Sequence, residues 1–394
     1  MIFSALCSSA LGFDPSTQIT LSQYLLIATG LTTILQSLKG HRYPILEGPS
    51  SALLLSFIIL APQGLSVIEG GLICGSLLLI AVGKFRWFKW FSPLFTPNVV
   101  GVILILVAFT LLPFIYPMLI GISTSHPYGE LGICGFSLLI IFFVSFLSCR
   151  LRGVFQTTSM LAGIILGLIL SLFQGRVSFA VVGESAWLAL PSTSFLVQPA
   201  FSLPAILSIT CTYLAVMINT VGSIQAMSEI VGREGLEDRI HRGIFMTGTG
   251  GFIAGLLGVV GGVSVSISTG VVLVSRVASR YVLTMSGMIM IICAFVPKLW
   301  AVLTVIPSSI VASVLFVVLS SQVMAGINVI MSGKKAIERR EYFIVGLSIL
   351  LGTVISFLPK EFFHSFSGAI APLLSNGLVM GLLFCLLLEH LLFN

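Results

Sequence analysis

The chain has 394 residues, of which 57% are apolar and only 8% charged, whereas soluble domains carry about 25% charged residues; a water-soluble globular protein is excluded. The net charge of +6 does not point to nucleic acid, because Lys and Arg stand in small groups between apolar runs rather than along one face. The seven cysteines fall mostly inside apolar runs without metal-ligand spacing, so they read as small packing residues, and neither disulfides, a metal site nor a cofactor is expected.

Cutting the chain at charges and turn residues predicts apolar helical spans at about 19–38, 44–62, 66–83, 96–118, 130–149, 154–174, 202–228, 242–259, 263–275, 281–297, 308–331, 342–358 and 366–388. A hydrocarbon layer of roughly 30 Å needs about 20 apolar residues as helix. The stretch before Asp14 is too short for a full crossing and reads as an N-terminal fragment. It lacks a basic segment and a convincing cleavage site, so a signal peptide is not expected there. Alternating sides along these spans, only Arg176, Lys298 and Lys360 fall on one side, and the other 16 of the 19 basic residues fall on the opposite one. Basic residues favour cytoplasmic loops, which predicts a multi-pass plasma-membrane protein with a cytoplasmic C-terminus.

Two spans are irregular in a shared way. Tyr43-Pro44-Ile45-Leu46-Glu47-Gly48-Pro49 must begin as extended chain, since proline fixes φ, removes a donor and pushes its predecessor out of helix; helix starts at about Ser50. In the second, Val263-Ser264-Val265-Ser266-Ile267-Ser268 alternates apolar and hydroxyl residues with the period of a strand before Thr269-Gly270 opens another apolar run. The broken spans, about 43–62 and 263–275, are seven spans apart. With the fragment counted as a first span they hold the same place in two seven-span halves, 1–200 and 201–394. An odd number of spans per half inverts the second repeat, and broken spans at matching places of inverted repeats point to a transport site. The predicted fold is therefore an all-α polytopic membrane protein with a 7+7 inverted repeat. The pair Gly251 and Gly255, by contrast, reads as a GxxxG helix-packing motif.

At these segments the chain resembles the nucleobase-ascorbate transporter, or xanthine-uracil permease, family. The similarity is carried by Gly30-Leu31-Thr32-Thr33-Ile34-Leu35-Gln36, Tyr43-Pro44, Gly48-Pro49-Ser50-Ser51-Ala52, Ile218-Asn219-Thr220-Val221-Gly222-Ser223, Gly255 to Gly270, Arg276, Ala278, Ser279, and Ile306-Pro307 through Gly326-Ile327. The resemblance implies core and gate domains, a homodimer, and import of purines or pyrimidines with protons. The chain also departs from the family. Asn219 stands where the eighth span usually carries a ligand-binding glutamate, Ile267 where the tenth carries an acidic or amide residue, and Ser268 where it carries an asparagine.

The substrate-binding candidates are Asn219, Ser223, Ser266, Ile267, Ser268, Ser50 and Ser51. The Asn219 amide both donates and accepts, as the edge of a nucleobase requires, and Ser223 follows it by one turn. Ser266 and Ser268 share one side of the predicted strand, and Ile267 offers backbone. Glu47, where the family often has glutamine, is the expected proton-coupling residue, because an ionisable group inside a span is costly and functional by default; its competing reading is an interfacial carboxylate near Arg42. The other acidic residues read as loop, span-end or terminal groups, with Glu229, Glu234, Glu237 and Asp238 on a solvated surface. The leading expectation is a nucleobase importer with H+ symport. The alternatives are a small-anion transporter of sulfate-permease-like architecture and a degenerate homologue that moves nothing. No nucleophile-base pair or metal cluster suggests an enzyme.

Overall fold

The computed structural model describes residues 2–94, 96–122, 126–151, 158–175, 180–265, 268–269, 271–272, 276–332, 338–363, 366 and 371–392. The fragment before Asp14 is a helix, α1 (Ile2–Leu11), and α2 (Pro15–Leu38) starts where Asp14 caps the Ser16 amide and Pro15 takes the first helical position. After α2 come β1 (Glu47–Pro49), α3 (Ser51–Leu60), α4 (Leu65–Lys84), α5 (Pro97–Ile120), α6 (Leu131–Arg150) and α7 (Ser159–Phe173). The second half supplies α8 (Leu203–Val231), α9 (Leu236–Leu256), β2 (Gly262–Ser264), α10 (Arg280–Ala294), α11 (Pro297–Thr304), α12 (Ser308–Met331), α13 (Arg339–Phe357) and α14 (Gly377–Leu387).

By length and composition, seven described helices can cross a membrane, or eight if the pair α10 and α11, bent by 82°, is one span. The remaining predicted spans are shorter for a physical reason. Helix α3 has 10 residues, about 15 Å of rise. The extended chain before it makes up the rest of the depth.

β1 and β2 pair antiparallel, with Glu47 opposite Ser264, Gly48 opposite Val263 and Pro49 opposite Gly262. The broken second span is thus confirmed as extended chain, but its strand is shorter than the predicted Val263 to Ser268. Its partner limits it. Beyond Leu46, whose carbonyl accepts the Val265 N–H at 2.9 Å, the chain turns away at Tyr43-Pro44-Ile45 and offers nothing to pair with. Ser268 is accordingly helical, its N–H bonding Val265 O at 3.1 Å, so it is not part of a strand. Ser266 and Ile267 lie outside the described residues. On the other side, the predicted helix start is confirmed: Ser50 is the N-cap of α3, and its own N–H reaches Gly261 O at 2.9 Å.

The packing shows the inverted repeat. Counted from α1, α2 and α9 hold the second and ninth places, and α4 and α10 the fourth and eleventh. α9 packs on α4 as α2 packs on α10. Both crossings use glycine. A Cβ on Gly30 would stand 2.7 Å from Gly287 O, and one on Gly248 would stand 2.7 Å from the Ile80 amide nitrogen. The fifth and twelfth elements, α5 and α12, meet each other, each of Gly101 and Gly326 placing a would-be Cβ 2.7 Å from the other's carbonyl oxygen. Two bodies result. α2, α4, α8, α9 and α10 gather around the strands, while α5, α6, α7, α12, α13 and α14 pack among themselves.

Gly251 and Gly255 do serve packing, against Tyr213 and Ile73. Because Gly248 faces backbone that cannot yield, Gly248→Val is expected to destabilise the protein by about 1 to 3 kcal/mol, typical of overpacking. A lowered thermal midpoint in detergent, against an unchanged one for Gly346→Ala, which meets open space, checks this.

Candidate functional site

The strand pair carries Glu47 into the protein. Its side chain is 0% exposed, so it is not a solvated carboxylate. Its N–H donates to Thr33 Oγ1 at 3.3 Å, and its Oε1 accepts from Ser264 Oγ at 2.5 Å. Oε2 has no hydrogen-bond partner. A short strand explains the placement: cross-strand neighbours lie within about 5.5 Å, and register sets Glu47 opposite a hydroxyl rather than a valine.

His41, which sequence reasoning passed over, faces the same carboxylate. Its Nε2 is 3.7 Å from Glu47 Oε1, and the ring is 0% exposed. Its Nδ1 accepts the Tyr43 N–H at 3.0 Å, which leaves the proton of the neutral ring on Nε2, aimed at the carboxylate. Below it, the Gln36 side chain donates to Gly243 O and to Thr247 Oγ1, both at 2.9 Å, and its Oε1 accepts the His41 N–H at 3.4 Å. At the basic end, the Arg239 guanidinium lies 4.4 Å from the Tyr43 ring centre and donates to His41 O at 3.0 Å, while Tyr43 Oη donates to Gly232 O at 2.6 Å. These contacts close the site from that side.

Of the predicted binding residues, Ser223, Ser268, Ser50 and Ser51 lie at the same crossing. Ser223, on α8, donates to Ser264 O at 2.9 Å, and Asn219 stands one turn earlier on the same helix, partly buried. Ser268 Oγ accepts the Leu46 N–H at 3.1 Å. Ser50 and Ser51 open α3, whose first N–H groups and partial positive charge face the strands. Two separate chain breaks and one continuous helix therefore supply hydroxyls, an amide and a carboxyl within one buried region. Such an arrangement can hold a flat polar ligand by paired donors and acceptors and can exchange a proton beside it.

Burial is not confined to Glu47. Glu69 and Glu341, near the starts of α4 and α13, and Glu389, near the C-terminus, are buried as well. Asn98 Nδ2 reaches Glu341 Oε1 at 3.4 Å and Glu389 Oε2 at 3.3 Å. The predicted solvated surface is found: Arg233 pairs with Glu229, and Arg86 meets Asp238 at 2.5 Å, all four side chains well exposed.

Among solved structures, the transmembrane domain of the cyanobacterial bicarbonate transporter BicA superposes with a TM-score of 0.65 at 14% identity, covering 90% of this chain and 92% of that one. At that identity the likeness shows the fold alone. The uric acid transporter UacT of Escherichia coli is 26% identical over 376 residues, 92% of this chain and 77% of the relative. The uric acid permease PucK of Bacillus subtilis is 26% identical over 370 residues, 90% of this chain and 83% of the relative. A family model described as "Permease family", that of the xanthine-uracil permeases, matches residues 2–361. With that match spanning both broken spans and the strand crossing between them, the chain belongs to the xanthine-uracil permease family, a family of membrane transporters and not of enzymes.

Proposed function

We propose that the protein imports a purine base by alternating access and couples its movement to protons. The observation that carries the reading is the buried Glu47 at the strand crossing, bonded to Ser264 and faced by His41, beside Asn219, Ser223, Ser268 and the start of α3. The base lies between the third and tenth elements and against α8, its edges met by the Asn219 amide and the serine hydroxyls, with Ser50, Ser51, Ser266 and the Ile267 backbone completing the site. The purine choice is supported by the names of the relatives UacT and PucK. Residues 1–200 and 201–394 form the two repeats. The protein sits in the plasma membrane with its C-terminus cytoplasmic, and the exposed apolar faces of α6 and α13 leave area for lipid and for a second copy in a homodimer.

A second reading has one observation in its favour. Asn219 and Ile267 replace the family's two carboxylates, which leaves Glu47 as the acidic group beside the start of α3, and a helix N-terminus suits a small anion. Uptake of labelled urate, xanthine and uracil, set against labelled sulfate and bicarbonate, in cells expressing the chain separates the two. Saturable uptake of a purine, blocked by unlabelled purine, is expected. Uptake of the anions alone would overturn the proposal, and uptake of neither would leave a homologue without transport.

A further inference from the structure

The buried carboxyl of Glu69 belongs to no part of the site above. It lies in the second turn of α4 and is 1% exposed, and both its oxygens lack a hydrogen-bond partner. What covers it comes from far along the chain. Gly258, with φ +64°, follows the end of α9, and a Cβ there would stand 2.7 Å from Glu69 Oε1, 3.2 Å from the Phe195 ring and 3.3 Å from Leu65. Phe195 is itself fixed: its ring stacks on Tyr24 at 5.7 Å and meets Phe13 edge-on at 5.9 Å. The segment that carries it is tied to α4 by the Ala200 N–H donating to Ser66 O at 2.8 Å, and to α2 by Tyr24 Oη donating to Ser192 O at 3.2 Å. The carboxyl is thus shut between α4, the C-terminal end of α9 and an aromatic plug.

Charge and ligand chemistry at this place point one way. A helix C-terminus presents partial negative charge and favours a cation. The carbonyls of Ile253, Ala254 and Gly255 are already taken, by the N–H groups of Leu257, Gly258 and Val259, and the atoms that meet Gly258 beside the carboxyl are the hydrocarbon of Phe195 and Leu65. A hard metal cation needs several oxygen ligands, and among the described residues no cluster of three or more acidic, histidine or cysteine side chains supplies them. The cation that fits is a proton. Among the described residues, the titratable groups on the elements packed around it stand elsewhere. On α9 the charged residues Glu237, Asp238, Arg239 and Arg242, with His241, stand at the opposite end of a 21-residue helix, about 30 Å away. On α8, Cys211 and Tyr213 are the titratable groups of the facing half, and the Tyr213 phenol is turned to Gly251 and Gly261. The segment 195–200 contributes none, Tyr24 is bonded to Ser192 O, Asp14 at the start of α2 is exposed, and Cys74 on α4 itself lies more than one turn further on.

We propose that Glu69 is a second proton-binding site, placed beneath the Phe195 plug at the end of the molecule opposite the basic loops, and separate from Glu47. On the orientation and transport reading proposed above, it faces the extracellular side, so external acidity is read there before it reaches the strand crossing. The proton itself does not depend on that reading, and neither does the test.

The test is infrared difference spectroscopy of the full chain in lipid while pH is stepped, reading the carbonyl stretch of protonated carboxyls. The wild type is expected to show a titrating band that disappears in Glu69→Gln and persists in Glu47→Gln. Phe195→Ala, which leaves the carboxyl in place, is expected to move the midpoint of that band to that of a water-exposed glutamate. A band set unchanged in Glu69→Gln would overturn the proposal, as would loss of the band on adding sodium at constant pH, which would make the occupant a metal cation. Uptake assays on the same variants report separately on the transport reading: failure of all uptake with the band intact removes that reading and leaves the proton site standing.

Discussion

Glu47→Gln is expected to preserve exchange of substrate across the membrane and to abolish accumulation driven by a pH gradient. Glutamine keeps the size of the side chain and can still accept from Ser264 Oγ, which now bonds Oε1 at 2.5 Å, but it cannot bind or release a proton. The neighbouring His41 does not substitute for it. Its Nδ1 is committed to the Tyr43 N–H at 3.0 Å, and a doubly protonated ring would lose that bond, leaving a buried donor without a partner. Counterflow of labelled purine at equal pH, compared with uptake under an imposed gradient in proteoliposomes, separates the two behaviours. If the Gln variant still concentrates substrate under the gradient, coupling resides elsewhere, and Glu69 becomes the first group to examine.

The second large effect is expected from the polar groups around the crossing. Asn219→Ala and Ser268→Ala each remove a group that pairs with the ligand or holds the strand, at about 1 to 3 kcal/mol per lost buried hydrogen bond, which is roughly a 5- to 150-fold loss in uptake efficiency. The two differ in mechanism. Ser268→Ala also frees the Leu46 N–H now bonded at 3.1 Å, so it loosens β1, whereas Asn219→Ala removes an amide from α8. Membrane insertion, followed by surface labelling, should be unchanged in both. Full uptake in both variants would move the site away from α8 and β2.

Much of this was legible in the sequence because local chemistry dictates it. Pro44 and Pro49 forbid helix where they stand, Ser50 supplies the cap that lets α3 begin, and the alternation after Gly262 marks extended chain. Those three signals place both broken spans and bring Ser223, Ser268 and Glu47 to one crossing. What escaped was set by contacts between distant segments. The strand ends at Ser264 because its partner turns away at Tyr43, which no feature of residues 263–268 announces. His41 reads as a loop residue next to Arg42; only the fold of Tyr43-Pro44-Ile45 turns its ring inward to Glu47. Glu69 looks like the edge of a span, and its burial comes from Phe195, more than a hundred residues later. Register, tautomer and burial by remote loops are tertiary properties, and period and composition do not contain them.

The pairing of Glu47 with Ser264 also bears on how the molecule can move. Glu47 takes the hydroxyl that accepts its N–H, Thr33 Oγ1, and its histidine neighbour from the first half of the chain, and the hydroxyl that donates to its carboxylate from the second. On β2 and just past it, Ser264 is flanked by Val263 and Val265. Sliding β1 by one residue in either direction would therefore set an isopropyl group against the carboxyl and strip it of its donor. The ladder has a single notch. The helices gathered around the strands are keyed together, so on the alternating-access reading proposed above they would travel as one block and rock where that block meets the other body of helices, with the notch engaged at both extremes.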